Sequence, residues 1–150
     1  MFDLVLIRGL PGSGKTSLAK HFESHGYRHF EADLFFEVRG RYVYDPSNAK
    51  KAHDWCKQMA ERSLRKGHRV VVSNTFVSLR DMQPYLILAK NAFVIQTTGN
   101  WQNTHGVSEQ AVKKMELEWE PFSERQETAQ FLGSVDPAPS EWVTALLSAS

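Results

Sequence analysis

A phosphate-binding loop is the part of the sequence whose residue types and spacing point most directly to chemistry. The G-x-x-x-x-G-K-[ST] pattern is met by the run Gly9-Leu10-Pro11-Gly12-Ser13-Gly14-Lys15-Thr16. Glycines allow backbone angles that turn successive N–H groups toward one anion, and a following helix adds its positive end. Lys15 is expected to contact the β- and γ-phosphates of ATP, and the Thr16 hydroxyl to ligate Mg²⁺. The predicted nucleotide-binding residues are Gly9, Pro11, Gly12, Ser13, Gly14, Lys15, Thr16 and Ser17.

Asp33 is the candidate general base for a transfer reaction at that loop. It follows a predicted second strand, and ligands of parallel α/β sheets gather at the carboxyl ends of the strands. Phosphoryl transfer to a hydroxyl needs a group that orients the acceptor and takes its proton. A helix N-cap or a surface carboxylate also explains an aspartate here, so position alone leaves those alternatives open.

An alternation of strands and helices must bring these groups together. Apolar runs predict strands over residues 4–7, 27–31, 70–72 and 93–95. Helical spacing predicts helices over 16–25, 48–66, 79–89 and 109–120, the last three with Ser47, Ser78 and Ser108 as N-caps. Residues 34–46 are expected to form a structured loop, and 141–147 a short amphipathic stretch. The pattern predicts an α/β P-loop NTPase fold, a three-layer sandwich with a mostly parallel sheet and helices on both faces.

Composition and charge narrow the class of protein. The 150 residues include 18 Lys+Arg and 17 Asp+Glu, a net charge of +1, but residues 1–104 carry 15 basic and 9 acidic side chains, whereas residues 105–150 carry 3 and 8. The excess of basic residues in the part of the chain that holds the loop would attract a polyanion there. No apolar run has the length of a secretory signal or a membrane span. Together with the single Cys56, this predicts a cytoplasmic protein without a membrane partner.

The kind of P-loop protein is indicated by what else the chain contains. No base-reading N-K-x-D motif of a GTPase is present, and the length suits a small kinase. Several further motifs resemble those of P-loop kinases related to phage-type polynucleotide 5′-hydroxyl kinase, in particular the Nedd-binding-protein-like branch. The motifs occupy residues 6–18, 31–36, 40–46, 52–55, 74–75, 82–85 and 103–107, and the likeness spans about four fifths of the chain. The resemblance implies transfer of the ATP γ-phosphate to a hydroxyl, with Asp33 in the general-base position.

Three departures from that family affect the expected site. The family's third strand ends in Asp-Asn-Thr-Asn, whereas this chain has Ser73-Asn74-Thr75-Phe76, so a carboxylate is missing there. Trp101 and Gln102 stand where the lid normally has arginines, which indicates a shortened lid. Phe36 replaces an arginine three residues after the base. Replacement positive charge is expected from Arg39, Arg41, Lys113 or Lys114.

Candidate acceptor-side residues are Arg39, Arg41, Asn74, Thr75 and Trp101. Trp101 is suited to stack on a base, because every base has a π-face, but a tryptophan that covers the core is an equal alternative. Aromatic residues beside Arg39 and Arg41 suit a single-stranded nucleic acid, or pack a small substrate lobe.

These inferences lead to an expected function. The sequence predicts one P-loop kinase domain over residues 1–150, with a substrate-side loop and helix at 34–67, a lid-like segment at 98–120 and a C-terminal packing segment at 121–150. The expected acceptor is a polynucleotide 5′-OH of DNA or RNA. Alternatives are a hydroxymethylated base in DNA, as in phage DNA hypermodification, a small metabolite, or an ATP-binding regulatory module without efficient transfer. The sequence does not indicate an oligomeric state.

Overall fold

A five-stranded parallel sheet organises the computed structural model, which describes residues 3–38, 41–42, 46–99, 107–122, 130–135 and 147. The elements in chain order are β1 (Leu4–Arg8), α1 (Lys15–Glu23), β2 (Arg28–Phe30), β3 (Glu37–Val38), β4 (Arg41–Tyr42), α2 (Ala49–Arg65), β5 (Val70–Asn74), α3 (Leu79–Leu86), β6 (Ala92–Thr97), α4 (Glu109–Glu118) and β7 (Gln130–Val135). Two 3₁₀ helices, Ala32–Phe36 and Pro46–Asn48, precede the β3–β4 hairpin and α2. The strands predicted from apolar runs are confirmed as β1, β2, β5 and β6.

The strand order places the phosphate loop at the centre of the sheet. The order is β2-β5-β1-β6-β7, and every neighbouring pair is parallel. Arg8, the last residue of β1, lies in register between Asn74 of β5 and Gln96 of β6. The chain therefore reverses its direction of crossover at β1, and the crevice beyond the carboxyl end of that strand is where such folds bind ligands.

Both faces of the sheet are covered, as predicted for a three-layer sandwich. Alternate residues of a strand point to opposite faces. Leu4 and Leu6 of β1 belong to a cluster with buried residues of α2 and α3, and Val5 and Ile7 belong to a second cluster with buried residues of α1. Leu147, within the predicted amphipathic stretch, is buried in the second cluster. The continuous apolar runs of β1 and β5 follow from this burial on both sides.

The structure corrects several predicted boundaries. The N-cap of α2 is Asn48 rather than Ser47, which lies inside the 3₁₀ turn. A proline fixes its own φ and favours such a turn at Pro46. Residues 34–46, expected as a loop, contain the end of the first 3₁₀ helix and the β3–β4 hairpin. α3 ends at Leu86 instead of residue 89.

β7 lies in the segment for which no strand was predicted. It pairs in parallel with β6, with a register shift between Val94 and Gln96. Its sequence, Gln130-Phe131-Leu132-Gly133-Ser134-Val135, is interrupted by a glycine, and glycine weakens the strand signal in a sequence. Within the part of the chain that the structure describes, no helix has the length and apolar character needed to cross a membrane.

Candidate nucleotide-binding site

The phosphate loop is held in shape by one internal backbone hydrogen bond and by backbone hydrogen bonds to two other segments. The Gly9 N–H donates to the Thr75 carbonyl (3.3 Å), the Ser13 N–H to the Leu10 carbonyl (3.0 Å), and the Gly99 N–H to the Ser13 carbonyl (3.1 Å). The loop is thus tied to the residues that follow β5 and β6, on either side of β1. Gly12 and Gly14 have φ values of 81° and 95°, in the region that favours glycine.

Gly9 is required by the closeness of two buried hydroxyl groups. A Cβ at this position would collide with Ser13 Oγ and Thr97 Oγ1. Those two oxygens are themselves hydrogen-bonded at 2.7 Å, and Thr97 Oγ1 also donates to the Arg8 carbonyl at 3.4 Å. The small size of Gly9 lets the loop turn directly off the end of β1.

The first turn of α1 has open backbone donors. The first N–H groups of any helix lack a carbonyl partner within it. The N-cap of α1 is Gly14 in the left-handed region, and within the described structure no side chain caps this end. The amides of Lys15, Thr16 and Ser17 are therefore available to an anion, as the sequence pattern predicts.

Lys15 lies inside the loop that precedes it. Its Nζ donates to the Leu10 carbonyl at 3.0 Å. Burial lowers the pKa of Lys15 to about 8, and the nearby carboxylates of Glu31 and Asp33 oppose that shift. The ammonium is thus largely removed from water, which makes an added phosphate a favourable partner for its charged form.

Glu31 is a site residue for which the sequence analysis assigned no role. Glu31 is 7% exposed, and its Oε2 accepts hydrogen bonds from Thr16 Oγ1 and from Ser73 Oγ, both at 3.1 Å. β2 and β5 are paired up to Phe30 and Val72, so the next residue of each strand, Glu31 and Ser73, come together. Their separation of 42 residues in the chain hides this contact from motif analysis.

His29 extends this network on the side away from the loop. Its Nε2 lies 2.7 Å from Ser73 Oγ and 4.0 Å from Glu31 Oε2. Burial lowers the pKa of His29, although Glu31 opposes the shift. Because Ser73 gives its only proton to the carboxylate, the imidazole must donate from Nε2. The donors therefore run from His29 to Ser73 to Glu31.

Asp33 lies at the start of the first 3₁₀ helix, and Asn74, the last residue of β5, contacts that start. Asp33 is half-buried in the first turn, and the Ala32 N–H donates to Asn74 Oδ1 at 2.9 Å. Asn74 Nδ2 lies 3.7 Å from Cys56 Sγ, a buried thiol whose pKa is raised by burial. Asn74 thus anchors the turn that carries Asp33, and the Thr75 carbonyl accepts from the phosphate loop.

Arg8 joins the base of the phosphate loop to the end of α4, a role not found from the sequence. The residue is fully buried, and its guanidinium donates to the Phe76 carbonyl at 2.7 and 3.1 Å and to the Val77 carbonyl at 3.2 Å. It also lies 4.0 Å from the ring centre of Trp119, a cation–π contact. Burial lowers the pKa of Arg8 to about 10, so it remains protonated at neutral pH. Phe76, whose carbonyl accepts from Arg8, has a φ of 47°, which is uncommon for a residue other than glycine.

The remaining predicted acceptor-side residues are only partly described. Arg39 and Trp101 lie outside the described residues, and Arg41 is described only as part of the backbone of β4. Lys113 and Lys114 lie on α4, where Lys114 Nζ is 4.0 Å from Glu118 Oε1. Phe36 is 5% exposed, and its ring packs edge-on against that of Phe35 with 5.5 Å between the ring centres. Residue 36 is therefore part of the core.

The Mg²⁺ expected from the sequence is consistent with the donors present. Mg²⁺ prefers oxygen ligands and is usually bound through one or two protein oxygens together with substrate phosphates. Thr16 Oγ1 and the Glu31 carboxylate supply such oxygens beside the open N-terminus of α1. Among the described residues, no group of three or more His, Cys, Asp or Glu side chains is placed to hold a metal ion.

Comparison with known sequences and structures gives one family and a set of structural neighbours. The sequence profile of the AAA domain family matches residues 4–97. Human NEDD4-binding protein 2 is 28% identical over 135 residues, which cover 79% of this chain and 8% of that protein. The chain therefore corresponds to a small part of that relative's length.

Solved structures share the fold over nearly the whole chain. A sugar kinase from Janibacter sp. HTCC2649 superposes with a TM-score of 0.70 at 12% identity, covering 99% of this chain and 94% of that one. Kti12 of Chaetomium thermophilum, in complex with ADP-AlF3, superposes with a TM-score of 0.67 at 16% identity and covers 97% of both chains. These likenesses, with the parallel sheet, establish an α/β P-loop NTPase fold, and in the Kti12 structure that fold holds a nucleotide.

Proposed function

The chain belongs to the AAA domain family, and on that premise we propose that it is a Mg²⁺- and ATP-dependent kinase that transfers the γ-phosphate to a hydroxyl group. The observation that supports this most is that the half-buried Lys15 ammonium, beside the uncapped start of α1, lies close enough to the Glu31 and Asp33 carboxylates for both to raise its pKa. Nucleotide binding alone requires the Lys15 ammonium and the open start of α1. Transfer to a hydroxyl group also requires a carboxylate on the acceptor side.

In this proposal the phosphate loop binds and orients the triphosphate. The amides of Gly12 and of residues 14–17 and the Lys15 ammonium would contact the phosphate oxygens, and Thr16 Oγ1 would hold Mg²⁺. The bound ion neutralises charge that develops on the phosphates during transfer. Burial of Lys15 strengthens its attraction to the γ-phosphate, because the charge acts through a medium of lower dielectric constant than water.

Asp33 is the proposed general base. An acceptor oxygen forms a bond to the γ-phosphorus, the bond from that phosphorus to the β–γ bridging oxygen breaks, and ADP leaves with the electron pair. The acceptor proton passes to the Asp33 carboxylate and from there to water. The Ala32–Asn74 hydrogen bond supports the turn that carries Asp33.

The proposed acceptor is a polynucleotide 5′-OH of DNA or RNA. This rests on the family resemblance of the motifs and on the excess of basic residues over acidic ones in residues 1–104. Arg39, Arg41, Asn74, Thr75 and Trp101 are the proposed acceptor-side residues. Residues 1–150 would act as one cytoplasmic kinase domain, with 34–67, 98–120 and 121–150 as its substrate-side, lid-like and C-terminal packing parts.

Two alternatives keep specific support. In the first alternative, the acceptor hydroxyl belongs to a hydroxymethylated DNA base or to a small metabolite. The small metabolite is supported by structural neighbours with this fold that are named as a sugar kinase and a shikimate kinase. A regulatory ATP-binding module without transfer is favoured by Ser73 in place of an acid and by Trp101 and Gln102 in place of lid arginines.

A transfer assay with γ-labelled ATP and Mg²⁺ tests the proposal. The acceptor panel contains 5′-OH DNA, 5′-OH RNA, hydroxymethyluracil DNA, nucleosides and small sugars. We expect label on a 5′-OH polynucleotide, and Asp33→Asn is expected to lower kcat by about 10²–10⁴-fold while ADP binding persists. Asp3→Asn, which changes an exposed carboxylate just before β1, is the matched control. Binding of ATP without transfer to any acceptor would contradict the kinase proposal and leave the regulatory module.

A further inference from the structure

We propose that Glu31 supplies, from the end of β2, the carboxylate of the magnesium site, in place of an acid at the end of β5. The inference rests on the proposed nucleotide-binding function and assigns a residue to it. Ser73 occupies the β5 position at which related kinases carry the acid, and Glu31 lies against that serine at 3.1 Å. The Glu31 carboxylate therefore lies beside the position that the motif resemblance fills with an acid.

The surroundings of Glu31 favour a cation. A carboxylate that is 7% exposed needs an opposite charge or several hydrogen bonds to offset its lost hydration. Its two hydrogen-bond donors are hydroxyl groups, and both reach Oε2. Among the described residues, Oε1 receives no hydrogen bond. In the free protein the nearby Lys15 ammonium offsets part of this charge. A phosphate bound to Lys15 would leave the Glu31 carboxylate to a metal ion.

The direction of the hydrogen bonds determines what Thr16 offers. A carboxylate accepts hydrogen bonds and does not donate them, so the Thr16 hydroxyl proton points at Glu31 Oε2. Its lone pairs then point elsewhere, and a hydroxyl oxygen binds a cation through a lone pair. Glu31 consequently orients Thr16 as a metal ligand, in the way that outer carboxylates orient ligands in metal sites.

Ser73 fits the same interpretation because two acids would not be stable together here. An aspartate at residue 73 opposite Glu31 would place two carboxylates within contact, and like charges at that distance suppress ionisation of one of them. A serine instead donates a hydrogen bond to Glu31 and accepts one from His29. One acid and one hydroxyl are needed, and either strand can supply the acid.

The test measures ADP binding by calorimetry, once with Mg²⁺ and once with EDTA, and compares the ratio of the two affinities. Glu31→Gln is expected to lower the Mg²⁺-dependent gain in affinity by about 10–100-fold, while binding in EDTA is retained. The double variant Glu31→Gln/Ser73→Asp returns an acid to β5 and is expected to recover at least about tenfold of that gain. Glu23→Gln removes an exposed carboxylate at the end of α1 and is the matched control, expected to match the wild type.

The outcomes separate this inference from the proposed function. Wild-type protein that binds no ADP would overturn both. Wild-type protein with a Mg²⁺-dependent gain that Glu31→Gln leaves unchanged would overturn the role of Glu31 alone. Equal losses with Mg²⁺ and with EDTA would also overturn it, because they would show that Glu31 only supports the loop. Should Glu31→Gln unfold, the double variant decides: a folded double variant without a Mg²⁺-dependent gain contradicts the exchange of acids between strands.

Discussion

The start of α1 differs from the starts of α3 and α4, and the difference separates function from stability. α3 begins with Ser78, whose side chain accepts from the Asp81 N–H at 3.3 Å while Asp81 Oδ2 accepts from the Ser78 N–H at 3.4 Å. α4 begins with Ser108, whose Oγ accepts from the Ala111 N–H at 3.2 Å. α1 begins with Gly14 and, in the described structure, has no such cap.

α2, whose N-cap Asn48 makes no side-chain cap hydrogen bond within the described residues, also lacks a cap, so a missing cap alone does not mark a ligand site. α1 differs from α2 in that its start follows the phosphate loop and carries Lys15. A serine cap is worth about 1 kcal/mol of stability. α1 lacks such a cap and also has at its first position a half-buried lysine whose pKa is lowered by the loss of hydration. Both features cost stability in the free protein and are offset when a phosphate binds, so the nucleotide is expected to raise the free energy of unfolding. The following predictions test this contrast.

Lys15→Ala should have the largest effect. Removal of the ammonium is expected to lower kcat/KM for phosphoryl transfer by about 10²–10³-fold, because a charge that acts on the phosphates in a buried site is lost. The melting temperature without nucleotide should stay equal or rise, since the buried charge is also removed. Kinetics and thermal melting measure both quantities.

Lys20→Ala is the matched control, because Lys20 is exposed in the last turn of α1. It should leave kcat/KM unchanged. A Lys15→Ala variant that retains the wild-type kcat/KM would show that the open end of α1 does not serve the phosphates.

Gly9→Ala and Gly67→Ala compare a glycine that is required for steric reasons with one that is required only for its backbone conformation. The added Cβ collides with Ser13 Oγ and Thr97 Oγ1, so we expect a loss of about 1–3 kcal/mol of stability and weaker ADP binding. Gly67→Ala, at a φ of +85° in open space after α2, should cost about 1–2 kcal/mol and leave ADP binding unchanged. Denaturant unfolding and calorimetry distinguish the two. Equal ADP affinity in both variants would contradict the close approach at Gly9.

The pH dependence of ADP binding should report Lys15. Its pKa is about 8 in the free protein, below the usual lysine value of 10.5, and bound phosphate stabilises the charged form and raises that pKa. Binding above this pH therefore takes up a proton, and affinity should fall by up to about tenfold per pH unit as pH rises above 8. Calorimetry from pH 7 to 10 measures the slope. Lys15→Arg remains charged throughout and should bind with little slope; identical slopes in both proteins would rule out Lys15 as the titrating group.

Ser78→Ala should have the smallest effect and complete the comparison. Loss of the cap is expected to reduce the free energy of unfolding by about 1 kcal/mol, because the Asp81 N–H loses the Ser78 hydroxyl and keeps only the Ser78 carbonyl as an acceptor. ADP affinity and transfer should not change. A clear fall in ADP affinity would show that α3 contributes to the site, and the distinction between the two kinds of helix start would fail.

Local signals account for the parts of the fold that were predicted. β1, β2, β5 and β6 followed from apolar runs, and the caps Ser78 and Ser108 followed from their place before helical patterns. Both kinds of signal lie within a few consecutive residues. The predicted N-cap of α2 and the predicted loop over 34–46 were wrong in detail. A 3₁₀ turn precedes α2 and a short hairpin forms within 34–46, and both depend on contacts with residues outside those segments.

The site divides in the same way. The amino-acid sequence by itself determined the phosphate loop, since its chemistry is written in eight consecutive residues, and it identified Asp33 and Asn74 as candidates. Only the tertiary structure decided that Glu31 faces Thr16 and Ser73, and that Arg8 connects β1 with Trp119. Those contacts join residues 15 to 111 positions apart, which parallel pairing and a buried charge bring together, so no local pattern could express them.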